Sequence, residues 1–203
     1  KEKQSAQASL FEENNEKEEA PVAIKKNCGN YKAVTNLAEL QTFIDAALDK
    51  NANAAPEIAF DTETDSLNTH QARLVGFSLS TKAGEGIYIP VVLPGGMFAE
   101  QTISKKDCLA QIERILLCGD ATLVMHNGKF DLEVLYSNGL ESVKELKCRI
   151  ADTMVASWLL APDATGKSPY SLEYLAETKL GLAGIEFGDL VQKGQTFADV
   201  PLE

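Results

Sequence analysis

The first clear periodicity along the chain is that of an amphipathic helix that begins after Asn36. Apolar residues recur at steps of three and four positions over residues 37–48, which is the spacing of one helix face. Asn36 is a favoured N-cap residue, and the polar segment 51–56, which ends in proline, stops the pattern. The pattern therefore predicts a helix that packs one face on a core.

Three short runs rich in β-branched and aromatic residues follow, at residues 57–63, 73–81 and 86–92. The short connections between them predict three strands that pair as an antiparallel meander. Pro90 lacks the backbone N–H that a central strand needs, so the third strand is expected to lie at an edge or to end early.

Helix and strand patterns alternate in the second half of the chain. Ser104 and Asp107 resemble a capping box, with aspartate in place of glutamate, before a helix that Gly119 ends. Residues 122–125 predict a short buried strand. Further helices are predicted over residues 129–138, 152–160, 171–178 and 187–192. This order of elements favours an α/β fold with a mixed central sheet flanked by helices.

Two acidic residues lie two positions apart on the first predicted strand. Side chains alternate along a strand, so Asp61 and Glu63 share one face, and Phe60 and Thr62 share the other. Two carboxylates on one strand face repel each other and lose hydration unless a cation neutralises them. Oxygen ligands on a rigid strand suit Mg²⁺ or Mn²⁺. The alternative interpretation is a solvated acidic rim at the end of a strand.

A third acid, Asp131, falls in the apolar stripe of the helix predicted over residues 129–138. A carboxylate there needs compensation, and a metal ion shared with Asp61 and Glu63 would supply it. Three such carboxylates can hold two divalent ions for in-line attack of water on a phosphodiester. The alternative is an acid that caps the helix or pairs with Lys129.

Composition narrows the class of protein. The chain has 203 residues with 44% hydrophobic and 24% charged residues, which is typical of a globular domain. No apolar run is long enough to cross a membrane, and the N-terminus lacks the apolar core of a signal peptide, so a cytoplasmic location is expected. The four cysteines form no C-x-x-C pair, which favours free thiols.

The net charge of −11 is unusual for a protein that would bind nucleic acid by neutralising phosphates. Two interpretations are compatible with that charge, namely a role that does not involve nucleic acid and an acidic site that contacts phosphate through bound metal ions. Residues 1–26 are charged and polar with little to bury, and they are predicted to be a flexible linker before one domain over residues 27–203. A linker in that place suggests a preceding domain.

Three motifs together resemble a known family. They are F-D-T-E-T-D-S-L at residues 60–67, H-N-G-K-F-D at residues 126–131 and A-D-T-M at residues 151–154. From about residue 31 to residue 203, the chain is similar to the proofreading 3′-5′ exonuclease domain of bacterial family A DNA polymerases. That family belongs to the ribonuclease H-like exonucleases, which use four acidic residues and a tyrosine.

The resemblance implies a role for eight residues of this sequence. Asp61, Glu63 and Asp131 match catalytic metal ligands, and Thr64, Leu67 and Asn127 match contacts to the terminal nucleotide, with Leu67 wedged against the last base. Phe187 matches an aromatic near the displaced strand, and Lys167 matches a basic residue of the family. Core packing of Phe187 and plain surface exposure of Lys167 stay open as alternatives.

The resemblance also implies a function, namely hydrolysis of the terminal phosphodiester at a single-stranded or frayed DNA 3′ end by two Mg²⁺ or Mn²⁺ ions. A polymerase domain would follow in the longer protein, and a 5′ nuclease domain would be a candidate for the preceding one. Two alternatives stay open, a related 3′-5′ exoribonuclease and a catalytically silent domain that braces the polymerase.

The third motif of the family, a tyrosine followed four positions later by aspartate, is not found in this sequence. None of the five tyrosines has an aspartate at that spacing. The chain is therefore expected to be truncated before that motif, and its activity as a fragment to be incomplete.

Overall fold

The computed structural model describes residues 25–26, 29–49, 54–92, 102–183, 191 and 195, with the backbone alone at residues 25, 26 and 183. In those ranges the elements are β1 (Lys25–Lys26), β2 (Asn30–Ala33), α1 (Leu37–Ala47), β3 (Glu57–Thr64), β4 (Leu74–Lys82), β5 (Glu85–Pro90), α2 (Lys105–Leu116), β6 (Thr122–Met125), α3 (Gly128–Ser137), a 3₁₀ helix (Glu141–Glu145), β7 (Arg149–Asp152), α4 (Thr153–Leu160), α5 (Leu172–Leu175), a π-helical turn (Ala176–Leu180) and β8 (Leu182–Ala183).

The larger sheet of the described residues has six strands in the order β2-β5-β4-β3-β6-β7. The strands β3, β4 and β5 form the predicted antiparallel meander. On either side the pairing is parallel, β2 with β5 and β3 with β6, and β6 then pairs in parallel with β7. A separate short pair joins β1 and β8 in parallel. The predicted mixed sheet with flanking helices is confirmed.

Two helices begin at the residues that their sequences predict. The side chain of Asn36 accepts hydrogen bonds from the N–H groups of Ala38 and Glu39 at 2.8 and 3.3 Å. The hydroxyl of Ser104 accepts from the N–H of Asp107 at 3.1 Å and donates to its carboxylate at 2.6 Å. Each cap satisfies N–H groups that the first helical turn leaves without partners.

The core lies between the sheet and the helices α1, α2 and α3. Along β3, Ile58 and Phe60 are buried, and Phe60 contacts Phe77 of β4 with ring centroids 6.0 Å apart. Leu40 and Ile44 of α1 are fully buried in the same cluster. The opposite face of the sheet is open and borders a cavity that strands β3, β4 and β5 line.

The structure confirms that the third predicted strand ends early, and it adds two strands to the six-stranded sheet. Pro90 does end β5, but β5 is not an edge strand, because β2 pairs with it on the side away from β4. Neither β2 nor β7 was predicted from the sequence. Both have four residues, and all four of the first are exposed, so neither shows a hydrophobic alternation that would reveal it.

The helices of the C-terminal part differ in detail from their patterns. The predicted helix over residues 171–178 is α5 followed directly by the π-helical turn, which runs on to Leu180. The helix predicted over residues 187–192 lies outside the described residues, apart from the buried Val191. Most of the predicted linker also lies outside them, and only its last two residues are described, as β1.

No helix among the described residues is both long and apolar enough to cross a membrane. Cys108, Cys118 and Cys148 are free thiols, as predicted, and Cys28 lies outside the described part of the chain.

Candidate active site

The two acids of β3 lie on the face of the sheet that is turned away from the core. Ile58, Phe60 and Thr62 are buried, while Asp61 is exposed and Glu63 is half-buried. This alternation confirms that Asp61 and Glu63 share one face. In the pairing with β4, they stand opposite Ser78 and Gly76, respectively.

Asp131 reaches β3 from α3 and is only 2% exposed. Its Oδ1 atom accepts two hydrogen bonds from Thr62, one from the backbone N–H at 2.9 Å and one from the hydroxyl at 2.6 Å. The parallel pairing of β3 with β6 extends only to Ala59 opposite Val124, so Thr62 lies beyond it. The carboxylate of Asp131 thus takes the place of a partner strand at this edge.

The two alternative interpretations of Asp131 are wrong. Lys129 lies 3.7 Å from the Oε1 atom of Glu133, and its ion pair is with that residue. The N-cap position of α3 belongs to Asn127. Asp131 is instead a buried acid whose partner is Thr62.

The three carboxylates interact through their charges. Desolvation, followed by the charge of Asp131, raises the pKa of Asp61 to about 7 although Asp61 still reaches solvent. Desolvation, followed by the charges of Asp61 and Asp131, raises the pKa of Glu63 to about 7. Burial also raises the pKa of Asp131, against the opposing effect of the bonds from Thr62. Burial and mutual repulsion therefore disfavour the ionised forms of these acids.

A cavity of about 800 Å³ lies on this open face of the sheet. Asp61, Ser78 and Tyr88 line it from the strands, and His126 and Thr153 line it from the junctions that follow β6 and β7. Asp61 therefore lies at the wall of a cleft large enough for a small ligand.

Tyr88 lies close to Glu63, and sequence reasoning did not single it out. The tyrosine ring crosses Gly76, because a Cβ at that glycine would fall 2.1 Å from the Tyr88 hydroxyl oxygen. Gly76 is opposite Glu63 in the register, so the ring arrives beside that carboxylate. Burial, followed by the charge of Glu63, raises the pKa of the Tyr88 hydroxyl. The only signal in the sequence would have been a glycine in the middle of a strand.

Leu67 is 91% exposed in the loop that follows β3. The loop is braced at its base by Asp65, whose carboxylate accepts from the backbone N–H of Arg73 at 2.8 Å and from its Nε at 2.6 Å. Farther along, the hydroxyl of Thr69 donates to Glu133 of α3 at 3.0 Å. A braced loop thus presents an apolar side chain to solvent shortly after Glu63 along the chain.

The other residues matched to substrate contacts differ in how they are placed relative to the three carboxylates. Thr64 ends β3 directly beyond Glu63, half-buried, and its hydroxyl donates to the Ser66 carbonyl at 3.0 Å. Asn127 stands at the bend before α3 in the left-handed conformation, with φ 60°. Lys167 is exposed between α4 and α5, and no described hydrogen bond or ion pair joins it to the carboxylates. Phe187 lies outside the described residues.

The donor set fits a divalent metal ion, since carboxylate oxygens are the ligands that Mg²⁺ and Mn²⁺ prefer. As the side chains stand, no group of three or more His, Cys, Asp or Glu in the described ranges is arranged to hold a metal ion. One oxygen of Asp131 is already bonded to Thr62. The carboxylates of Asp61, Glu63 and Asp131 are the candidate ligands for such an ion.

A family model described as 3′-5′ exonuclease matches residues 31–203, which include all three carboxylates and the loop of Leu67. The chain belongs to this family. Among the relatives of this exonuclease domain, DNA polymerase I of Treponema pallidum is 35% identical in an alignment that covers 90% of the chain and 20% of that protein. DNA polymerase I of Borreliella burgdorferi is 33% identical over 173 residues, covering 85% of the chain and 17% of that protein.

The exonuclease domain thus spans about a fifth of the length of these relatives. The resemblance to the 3′-5′ exonuclease domain of DNA polymerase I is confirmed. Among solved structures, RNase D of Escherichia coli, an exoribonuclease involved in structured RNA processing, has a TM-score of 0.55 and 20% identity. The match covers 78% of this chain and 35% of that one. The fold is that of the ribonuclease H-like exonucleases, as predicted.

Proposed function

We propose that this exonuclease domain removes nucleotides from the 3′ end of DNA with the help of two divalent ions, Mg²⁺ or Mn²⁺. The observation that carries the proposal is the meeting of Asp61, Glu63 and Asp131 at the edge of β3, with the pKa of each raised by burial. Crowded carboxylates, one of which lines an open cleft, are what a site for cations requires.

In this proposal Asp61 and Glu63 hold the ions from the strand, and Asp131 holds them from the helix. Bound divalent ions lower the pKa of a water molecule and neutralise charge on the phosphate. The bonds from Thr62 orient the Asp131 carboxylate toward the edge of β3. Leu67, exposed on its braced loop, would contact the last base without reading its identity.

Metal binding is tested by the melting temperature of the chain with and without Mn²⁺. Binding to the folded state alone stabilises it by about 2.7 kcal/mol at a hundredfold excess over Kd, so the wild-type melting temperature should rise by several degrees. Asp61→Asn removes one ligand and should lose most of that rise.

Glu57→Gln is the matched control, because Glu57 lies on the same strand and the same face but opposite Thr122 of β6. It should keep the full rise. An equal rise in wild type and Asp61→Asn would rule out Asp61 as a ligand. The absence of any rise in wild type would favour the alternative of a structural brace.

We propose DNA as the substrate of the longer protein, in which a polymerase domain is expected. The support is the 33–35% identity to two DNA polymerase I sequences. The similarity to RNase D concerns the fold alone, and RNA is the competing substrate. Cleavage rates of the full-length protein on single-stranded DNA and RNA of one sequence decide between them, and faster RNA cleavage would favour an exoribonuclease.

A further inference from the structure

The A-D-T-M motif, residues 151–154, has no function in the proposal so far. Its aspartate, Asp152, ends β7 and is the N-cap of α4. The Oδ1 atom of Asp152 accepts hydrogen bonds from the N–H groups of Met154 and Val155 at 2.9 and 3.1 Å. These two bonds are ordinary capping bonds for the helix that Asp152 itself begins.

The same carboxylate also binds the start of the neighbouring helix, α3. Its Oδ1 accepts from the N–H of Asn127 at 3.2 Å, and its Oδ2 accepts from the N–H of Gly128 at 2.8 Å. Asn127 occupies the N-cap position of α3, but its side chain makes no capping bond. Asp152 therefore caps two helices with one carboxylate, and one of them carries Asp131.

The bend that Asp152 holds is tight. Asn127 has φ 60° and ψ 43°, a conformation that asparagine tolerates better than most residues. A Cβ at Gly128 would fall 2.9 Å from the Cβ of Met125, so the start of α3 packs directly on the end of β6. The hydroxyl of Thr153 donates to the Met125 carbonyl at 3.1 Å and lies 2.9 Å from Nδ1 of His126. Asp152 and Thr153 thus bind the residues that connect β6 to α3.

We propose that Asp152 is a positioning residue of the exonuclease site, whose carboxylate fixes the bend before α3 so that Asn127 and Asp131 face the edge of β3. The proposal rests on the proposed function, because it assigns Asp131 to a metal site. The four backbone N–H groups outweigh the partial burial of Asp152 and lower its pKa, so the carboxylate stays ionised. Its charge also acts on Asp131 and contributes to the raised pKa there.

Two substitutions separate positioning from capping and from charge. Asn and Ser are both good N-cap residues, so Asp152→Asn and Asp152→Ser should cap α4 about as well as aspartate does. Both remove the negative charge. They differ in reach, because the asparagine oxygen can keep the bond from Asn127, whereas the shorter serine cannot reach α3.

Calorimetric titration of the 203-residue chain with Mn²⁺ should give an affinity order of wild type, then Asp152→Asn, then Asp152→Ser. Loss of groups that orient a metal ligand typically weakens binding about 10-fold to 100-fold, and we expect the serine variant in that range. Asn36→Ala, which removes the cap of the distant α1, is the control for lost helix capping and should keep wild-type affinity.

Amide hydrogen exchange supplies the readout that does not depend on metal. In Asp152→Ser, the N–H groups of Asn127 and Gly128 should lose protection, while those of Met154 and Val155 keep it. Equal Mn²⁺ affinity for the two variants would overturn the positioning role, since charge or capping alone would then suffice. Unchanged protection at Asn127 and Gly128 would overturn it as well. Failure of wild type to bind Mn²⁺ would instead refute the proposed function.

Discussion

At the scale of single residues, the site is governed by acids that hold protons to unusually high pH. Asp61 and Glu63 have ordinary pKa values of 3.8 and 4.5, and desolvation together with neighbouring negative charge raises both to about 7. At pH values between these ordinary pKa values and about 7, the folded chain binds more protons than the unfolded chain does. The stabilising contribution of the protonated acids is therefore complete below the unfolded pKa values and is lost as the pH rises toward 7.

This linkage predicts how the metal-free protein responds to pH. The free energy of unfolding, measured with urea in a chelator, should fall between about pH 4.5 and about pH 7.5 more steeply in wild type than in Asp61→Asn. The substitution removes one titrating group and also its charge beside Glu63, so the difference between the two proteins reports Asp61 together with its effect on Glu63. The control variant Glu57→Gln should show the same pH dependence of the free energy of unfolding as wild type. Identical curves for wild type and Asp61→Asn would mean that the Asp61 pKa is not raised.

Leu67 provides a second prediction about a single residue. Because the side chain is 91% exposed, Leu67→Ala should change the free energy of unfolding by no more than about 0.5 kcal/mol. If Leu67 is buried against the last base, the affinity for a DNA 3′ end should fall about 10-fold, while Mn²⁺ affinity stays unchanged.

Leu160→Ala is the matched control, since Leu160 is also a leucine and is 87% exposed at the end of α4. An equal loss of DNA affinity in the two variants would mean that Leu67 makes no special contact. Fluorescence anisotropy of a labelled single strand of DNA measures the affinity of both variants. A large loss of stability in Leu67→Ala would show that the residue packs in the fold.

At the scale of elements, the contact between β3 and α3 holds the site together. The pairing of β3 with β6 stops at Ala59, and farther along β3 the carboxylate of Asp131 receives the N–H and the hydroxyl of Thr62. A strand and a helix are thus joined by two bonds to one buried oxygen. Such bonds to a buried acid are strong, because the acid has little water to replace them.

Thr62→Val should therefore destabilise the chain by about 1.5–3 kcal/mol, the usual range for a bond to a charged group. Valine keeps the shape and the backbone N–H but removes the hydroxyl donor at 2.6 Å. Thr81→Val, at an exposed position near the end of β4, should change the stability by no more than about 0.5 kcal/mol. Urea unfolding at slightly alkaline pH measures the stability of both variants. Equal losses of stability in the two would mean that the hydroxyl contact with Asp131 contributes nothing.

At the scale of the whole molecule, the net charge of −11 opposes the binding of another polyanion. A basic protein binds DNA by releasing counterions from phosphates, whereas in this chain 30 acidic residues outnumber 19 lysines and arginines. Divalent ions held by Asp61, Glu63 and Asp131 would reverse the local charge where the DNA 3′ end arrives. The charge of the molecule and the acids of the site are therefore parts of one explanation.

DNA binding by the chain should accordingly depend on a divalent ion. Anisotropy with a single strand should show binding in Mn²⁺ and at least 10-fold weaker binding in a chelator, since the uncompensated carboxylates repel phosphate. Asp61→Asn should reduce the difference between the two conditions. Binding of equal strength with and without Mn²⁺ would separate DNA recognition from the acids.

Local patterns in the sequence determined the elements that form around near neighbours. The helical spacing after Asn36, the alternation along β3 and the turn-rich breaks of the meander each depend on residues a few positions apart, and the structure has all three. The face shared by Asp61 and Glu63 follows from the two-residue period of a strand alone. The motifs around these acids were sufficient to indicate the family, and the match over residues 31–203 confirms it.

The tertiary structure alone decided what joins distant parts of the chain. Asp131 and Thr62 are 69 positions apart, Asp152 and Gly128 are 24 apart, and no local pattern reports either bond. The strands β2 and β7 form because each finds a partner strand to pair with. Each has only four residues, which is too short for a recognisable hydrophobic pattern in the sequence. Periodicity reveals which face of an element is buried, but the partner of each buried polar group depends on which elements pack together. The sequence thus determined the acids, and the packing of α3 against the sheet and the pairing of β7 with β6 decided how they are held.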